Sequence, residues 1–386
     1  MTDATAPAAA SAPAPETQAP RRSDIDWLRV IAFGILILFH VGLAFSPWSW
    51  HINVQDRQEW VPILLKASDP WRLTLLFLIS GAAVGLMRKT GGASGLILDR
   101  SRRILPALFL GVIFIVPPQA YAEWADKSGY DGTLFEFIGD YAARVLEHGF
   151  PTNHLWFLVF IWFYGLGAAL IYGFAPGFLT GLRSFAERSL KGAGLILIPM
   201  AYCVAMRLML HPIFGQTNNV SNDWYHHAVA FAAFIFGFAI ARSDIVWDRF
   251  AKTRVLALGL GLIGYAGTLI FYGVPYYREI AYGMAQWGAV AAALGYGRAY
   301  LSNAQSPLLR YLSSGVFSFY VLHQTITVLA VFYLKPFNLP VGQMAFLVIA
   351  ITALGCWLGY EIIRRSNFLS AVFSARPKLA GAASRA

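Results

Sequence analysis

The chain predicts an all-α polytopic membrane protein of about ten transmembrane helices, with both termini cytoplasmic. Three observations carry this reading. Of 386 residues, 57% are hydrophobic and 13% charged, where a soluble domain carries about 25% charged residues. Predominantly apolar runs of about 16 to 22 residues, near the length that crosses about 30 Å of hydrocarbon, recur along the chain. Lys and Arg gather in alternate connections between those runs, as the positive-inside rule asks of cytoplasmic loops.

The runs fall near 27–47, 71–88, 103–119, 155–175, 194–210, 226–242, 255–273, 280–298, 315–334 and 342–363, the third and fifth reading as the shortest. Basic connections follow the even-numbered runs: Arg88, Lys89, Arg100, Arg102 and Arg103, then Arg183, Arg188 and Lys191, then Arg242, Arg249, Lys252 and Arg254, then Arg298 and Arg310. Arg364, Arg365, Arg376 and Lys378 close the chain, whereas segment 120–154 is acidic. An even number of spans with both ends cytoplasmic satisfies every connection.

Residues 1–22 are rich in Ala, Pro, Thr and Ser and end on Arg21-Arg22. They offer too little apolar surface to fold and read as a disordered cytoplasmic tail. The apolar run that follows is membrane-spanning in length and has no clear small-residue cleavage site, so it is not an ordinary signal peptide. Residues 23–366 read as the membrane domain and 367–386 as a cytoplasmic C-terminal tail. The net charge of +10 is a topology signal spread over loops rather than a binding stripe for nucleic acid or anionic lipid; it is the hydropathy that makes the lipid bilayer a partner. Cys203 and Cys356 stand far apart in apolar stretches and read as small core residues.

The first run carries the most chemistry. Arg29 and His40 are eleven residues apart, which on a helix turns through about 1100°, about 20° past three full turns. Both side chains share one face, with the histidine about 16 Å deeper. An ionisable group in hydrocarbon is expensive and usually has a task. A low-dielectric surround favours the uncharged imidazole, which can take a proton from a hydroxyl and return it to a leaving group. The structural alternative is a histidine that only hydrogen-bonds a neighbouring helix.

Arg100 and Arg103 are one helical turn apart, and guanidinium forks grip phosphates bidentately, which suits a nucleotide-bearing donor such as coenzyme A. Arginines also lie in cytoplasmic loops for topology alone. His323 is a second mid-span histidine, with a structural hydrogen bond as its alternative role. Asp26 and Glu361 read as i,i+3 partners for Arg29 and Arg364. The outer connections 48–70 and 120–154 cluster aromatic residues and His, which either form an interfacial belt or offer stacking faces to sugars. Gly259-Leu-Gly261-Leu-Ile-Gly264 matches a dinucleotide fingerprint but lies inside a span with no preceding strand, so close helix packing explains it better. His226 and His227 diverge by about 100° on a helix and make a poor metal pair; no metal site is expected.

Arg29 and His40 with ten residues between them, Arg100-Ser-Arg-Arg103, Phe77-Leu-Ile-Ser80-Gly81, His154-Leu-Trp156-Phe157-Leu158 and Tyr320-Val-Leu-His323 together resemble the acyltransferase 3 family of membrane O-acyltransferases, over about Asp24 to Arg365. The chain departs from many relatives in having Val30 where a glycine often follows the arginine. Phe39-His40-Val-Gly-Leu, Trp50-His51-Ile-Asn53 and Pro117-Pro118-Gln119 are similar to the branch that succinylates periplasmic glucans.

The resemblance implies transfer of an acyl group, succinyl ahead of acetyl, from cytoplasmic acyl-CoA to a hydroxyl of a periplasmic glucan across the bacterial inner membrane. It implies that Arg100 and Arg103 hold the donor phosphates. His40 would be general base or transient acyl carrier, with Arg29 orienting the donor. His323 would line the acceptor side, with Trp50, His51 and Asn53 as acceptor contacts, and no permanently bound cofactor is implied. The alternative class is a transporter or flippase for a glycan or anionic substrate, since interior histidines in a ten-helix protein suit that as well.

Overall fold

The computed structural model describes residues 22–87, 91–149 and 151–373. Residues 1–21 of the predicted tail, Arg88, Lys89, Arg376 and Lys378 lie outside them. The described chain is helical, with no strand. Its elements are α1 (Ser23–Phe45), α2 (Val61–Ser68), α3 (Arg72–Leu86), α4 (Gly92–Leu110), α5 (Val116–Ser128), α6 (Leu134–His148), α7 (Trp156–Phe174) and α8 (Pro176–Ser189). There follow α9 (Gly194–Phe214), α10 (Trp224–His226), α11 (Ala232–Ile240), α12 (Asp244–Ile270), α13 (Pro275–Leu301), α14 (Pro307–Leu334), α15 (Val341–Arg365) and α16 (Asn367–Phe373).

Each of the ten predicted runs falls on a helix, and among the described residues seven helices are long and apolar enough to cross a bilayer. The third run lies inside a continuous helix, Gly92–Ser128, rather than being short. The short ones are α3, of 15 residues, and Trp224–Ile240. These two pack on each other inside the protein. Leu75, Leu76, Phe77, Leu78 and Ile79 of α3 are all buried, so α3 meets protein rather than lipid over much of its length.

Small residues set that contact. A Cβ at Gly81 of α3 would collide with the Phe234 carbonyl of α11, and one at Gly237 of α11 with the Leu78 carbonyl of α3. Without a hydrophobic force between helices in lipid, such close approach is what binds them. The glycines flagged in α12 do the same: Gly261 and Gly264 abut α13 at Ala289 and Ala285, while Gly259 faces open space.

Pro106 and the Pro117-Pro118 pair interrupt the Gly92–Ser128 helix, and a π turn over Gly111–Ile115 absorbs the misfit. Thr325 of α14 donates its hydroxyl to the Ile115 carbonyl at 2.7 Å. A side chain thus serves backbone at the break, as the bilayer interior demands. Two carboxylates elsewhere in the bundle likewise have internal partners. Arg207 of α9 donates to Glu279 of α13 and lies over the Tyr225 and Tyr282 rings. Glu361 of α15 accepts from Tyr311, Arg364 and Arg365.

Cys203 and Cys356 are free and buried. At the far end, α6 opens on a capping box between Thr133 and Glu136 and turns Phe137, Tyr141 and Val145 inward at i, i+4 and i+8.

Overpacking a tight contact costs about 1–3 kcal/mol. Gly81→Ala is therefore expected to lower the melting temperature of the detergent-purified protein clearly, and Gly259→Ala to leave it within error. Equal effects would show that the α3–α11 approach does not limit stability.

Candidate active site

Helices α1 and α14 run parallel and meet at two levels. At the first, Arg29 Nη2 donates to Ser313 Oγ at 2.5 Å and to Asp26 Oδ1 at 3.1 Å. Ser313 Oγ in turn donates to Asp26 at 3.2 Å. At the second, His40 Nδ1 lies 3.0 Å from His323 Nε2. Eleven residues on one helix match ten on the other, so the shared face read from the sequence is the face turned toward α14.

Hydrogen bonding assigns the tautomers. His323 Nδ1 lies 2.6 Å from the Tyr320 carbonyl, and a carbonyl can only accept, so Nδ1 carries the proton. In the neutral ring Nε2 is then an acceptor, and the atom it faces, His40 Nδ1, is the donor. His40 therefore keeps its basic lone pair on Nε2. His323 acts as its orienting partner and would steady an imidazolium formed there.

His154 completes the cluster, and its role was not separated from the motif around it in the sequence. Its ring stands edge-on to His323, centroids 5.3 Å apart. His154 Nε2 donates to the Val321 carbonyl at 2.9 Å, and Tyr320 donates its hydroxyl to the His154 carbonyl. These two bonds hold the turn of α14 whose Tyr320 carbonyl fixes His323.

Beyond His40, the segment after α1 folds over the cluster. Trp50 stacks on His40 with planes 26° apart. His51 Nδ1 meets Glu123 Oε2 of α5 at 2.5 Å, while Gln324 and Gln119 direct their amides at His51 Nε2, at 2.9 and 3.4 Å. Glu123, Gln119 and Gln324 were not singled out from the sequence; their i,i+4 spacing on α5 and adjacency to His323 are the only signals. Asn53 is buried, its Nδ2 within donating distance of the Leu43, Ala44, Ser46 and Trp48 carbonyls. Its Oδ1 accepts from the Trp50 amide. Its amide shapes the loop that carries Trp50 and His51.

Below the cluster is a cavity of about 250 Å³ lined by Arg29, Arg100, Arg103, Ser313, Met87 and Tyr320, among others. Asp99 bridges the two arginines of α4, accepting from Arg100 at 2.8 Å and Arg103 at 2.7 Å. Phe33, Phe157 and Tyr320, with ring centroids 5.5 to 6.3 Å apart, stand on α1, α7 and α14 between this cavity and the histidines. Among the described residues no group of three or more His, Cys, Asp or Glu is arranged to hold a metal ion.

Fold and site together define a polytopic α-helical membrane protein whose interior holds an arginine-lined cavity and, beyond three aromatic rings, a hydrogen-bonded histidine pair. The acyltransferase domain model of the acyltransferase 3 family matches residues 22–361, and the chain belongs to that family: it is a membrane acyltransferase. No curated protein and no solved structure matches it.

If His323 acts through His40, the two are one unit. His40→Ala and His323→Phe are each expected to lower acyl transfer by about 10²–10⁴-fold, and the double variant no further than the worse single one. Multiplying losses would place them in separate roles.

Proposed function

We propose that the protein transfers a succinyl group from acyl-CoA, at the arginine-bearing face of the bacterial inner membrane, to a hydroxyl of a periplasmic glucan, as glucan biosynthesis protein C does. The observation that carries this reading is the alignment on α1 and α14 of Arg29, which shares a cavity with Arg100 and Arg103 of α4, at one level and an oriented imidazole at the other. The resemblance of Phe39-His40-Val-Gly-Leu, Trp50-His51-Ile-Asn53 and Pro117-Pro118-Gln119 to that branch supports the acyl group and acceptor.

In this mechanism Arg100 and Arg103 exchange the bridging Asp99 carboxylate for the donor's phosphates, which they grip as planar forks. The cavity of about 250 Å³ suits the slender pantetheine arm, which carries the thioester past Arg29 and the Phe33, Phe157 and Tyr320 rings toward His40. His40 Nε2 takes the proton of the acceptor hydroxyl. The oxygen attacks the thioester carbonyl and the carbon–sulfur bond breaks. The imidazolium, steadied by His323, returns the proton to the coenzyme A sulfur. The products are an ester and a free thiol, with no net proton change, so donor and acceptor need not share a compartment.

The test is mass spectrometry of periplasmic glucans from a null strain complemented with wild type or His40→Ala at equal membrane expression. Succinyl groups are expected with the first and not the second. Unmodified glucans in both would sink the succinyl-glucan reading and leave another acceptor or substrate transport. Equal succinylation in both would remove His40 from the chemistry.

Replacing both Arg100 and Arg103 by Lys keeps charge but not the fork. The Michaelis constant for acyl-CoA is expected to rise about tenfold or more, with a smaller fall in kcat. An unchanged constant would remove the pair from donor binding.

A further inference from the structure

On the side of the histidine cluster away from the arginine cavity, α5, α6 and the segment after α6 line an open cleft of about 700 Å³. Its lining includes Glu123, Trp124, Lys127, Tyr141, Arg144 and Asn153. One group here is unusual. Tyr141 is only 9% exposed, yet its hydroxyl has no hydrogen-bond partner, and burying such a group unpaired is costly. One turn along stands Arg144, which is exposed. It lies over the Trp124 ring with its guanidinium carbon 5.0 Å from the centroid.

The cleft is also joined to the chemistry by two walls. Glu123 holds His51, whose neighbour Trp50 stacks on His40. Asn153, in the left-handed conformation at φ 42° that Asn tolerates better than most residues, immediately precedes His154. A group seated between these walls lies beside the residues that reach His40 through His51 and Trp50.

We infer that this cleft is the acceptor subsite and that its ligand is a carbohydrate, one sugar hydroxyl pointing on toward His40. The chemistry fits a polyol better than a lipid or a point anion. Indole and phenol rings wall it apolarly. Around them stand an idle hydroxyl, a guanidinium over the indole whose fork of donors can straddle adjacent hydroxyls, and a carboxylate, Glu123, paired with Lys127 at 2.9 Å. A volume in the range of ordinary small-molecule sites takes one or two sugar rings. The inference rests on the proposed transfer to a glycan and names where that glycan is held.

The experiment uses the full chain in nanodiscs, with a linear gluco-oligosaccharide as probe. Binding is read by calorimetry without donor, and transfer with succinyl-CoA. Wild type is expected to bind the probe. Tyr141→Phe and Arg144→Ala should each weaken binding and raise the acceptor Michaelis constant about tenfold, with little change in kcat or in the constant for succinyl-CoA. Arg144→Lys should not rescue, since a lysine lacks the fork. Trp60→Ala, on the other outer connection, should behave as wild type.

Unchanged binding in both Tyr141→Phe and Arg144→Ala would overturn the subsite, as would rescue by lysine, which would mark an anion site. Tyr141→Phe removes one oxygen only and keeps the test open should Arg144→Ala fold poorly. The two readings fail separately. Binding that depends on Tyr141 and Arg144 without transfer defeats the proposed reaction and keeps the subsite. Transfer indifferent to both residues defeats the subsite and keeps the reaction.

Discussion

The hydrogen bond between His40 and His323 is the constraint on which the rest of this structure depends. A bare imidazole in a bilayer would either find an arbitrary partner or reorient. Here both nitrogens of His323 and one of His40 are committed, and the commitments run in one direction, from His40 to His323 to the Tyr320 carbonyl. The chain of donors leaves a single basic nitrogen, and helix packing decides where it sits. Arg29, Ser313 and Asp26 fasten the same two helices a few turns away, so the register of α1 against α14 is pinned at both ends.

The surrounding fold is organised to let polar groups exist at that depth. At the Gly111–Ile115 π turn the backbone departs from the α-helix, and Thr325 meets a carbonyl there. The turn lies between Pro106 and the Pro117-Pro118 pair, and beyond it Gln119 and Glu123 face His51. Helix α3, too short to be an obvious span, is enclosed by its neighbours, and glycines bring α11 close enough to bury it. Irregular backbone and polar side chains are thus confined to protein-lined space, as membranes require.

Much of this was legible in the sequence because helices write their faces locally. The all-helical architecture and each of the ten apolar runs follow from hydropathy and length. The shared face of Arg29 and His40 follows from an eleven-residue interval, and the i,i+3 relation of Arg100 and Arg103 from the helical period. What could not be read was which faces meet. His154, Glu123 and Gln324 reach the cluster from the turn before α7, from α5 and from α14, across more than 70 residues of sequence in the case of His51 and Glu123. No local period encodes such contacts. Asn53 illustrates a different gap, since a buried amide that ties four carbonyls has the same one-letter signature as a ligand-binding one. The adjacency of Asp99 to Arg100 was visible, but its bridging of both arginines depends on rotamers rather than on order in the chain.

The central claim is that one buried imidazole pair serves reactants arriving from opposite faces, and sidedness tests it most directly. Oriented proteoliposomes would hold succinyl-CoA on the arginine-bearing side only and a gluco-oligosaccharide on the other only. The account predicts succinylated oligosaccharide on the acceptor side and an equal amount of free coenzyme A retained on the donor side, both abolished in His40→Gln. Intact succinyl-CoA or unmodified oligosaccharide crossing the bilayer without ester formation would contradict it and make the protein a transporter.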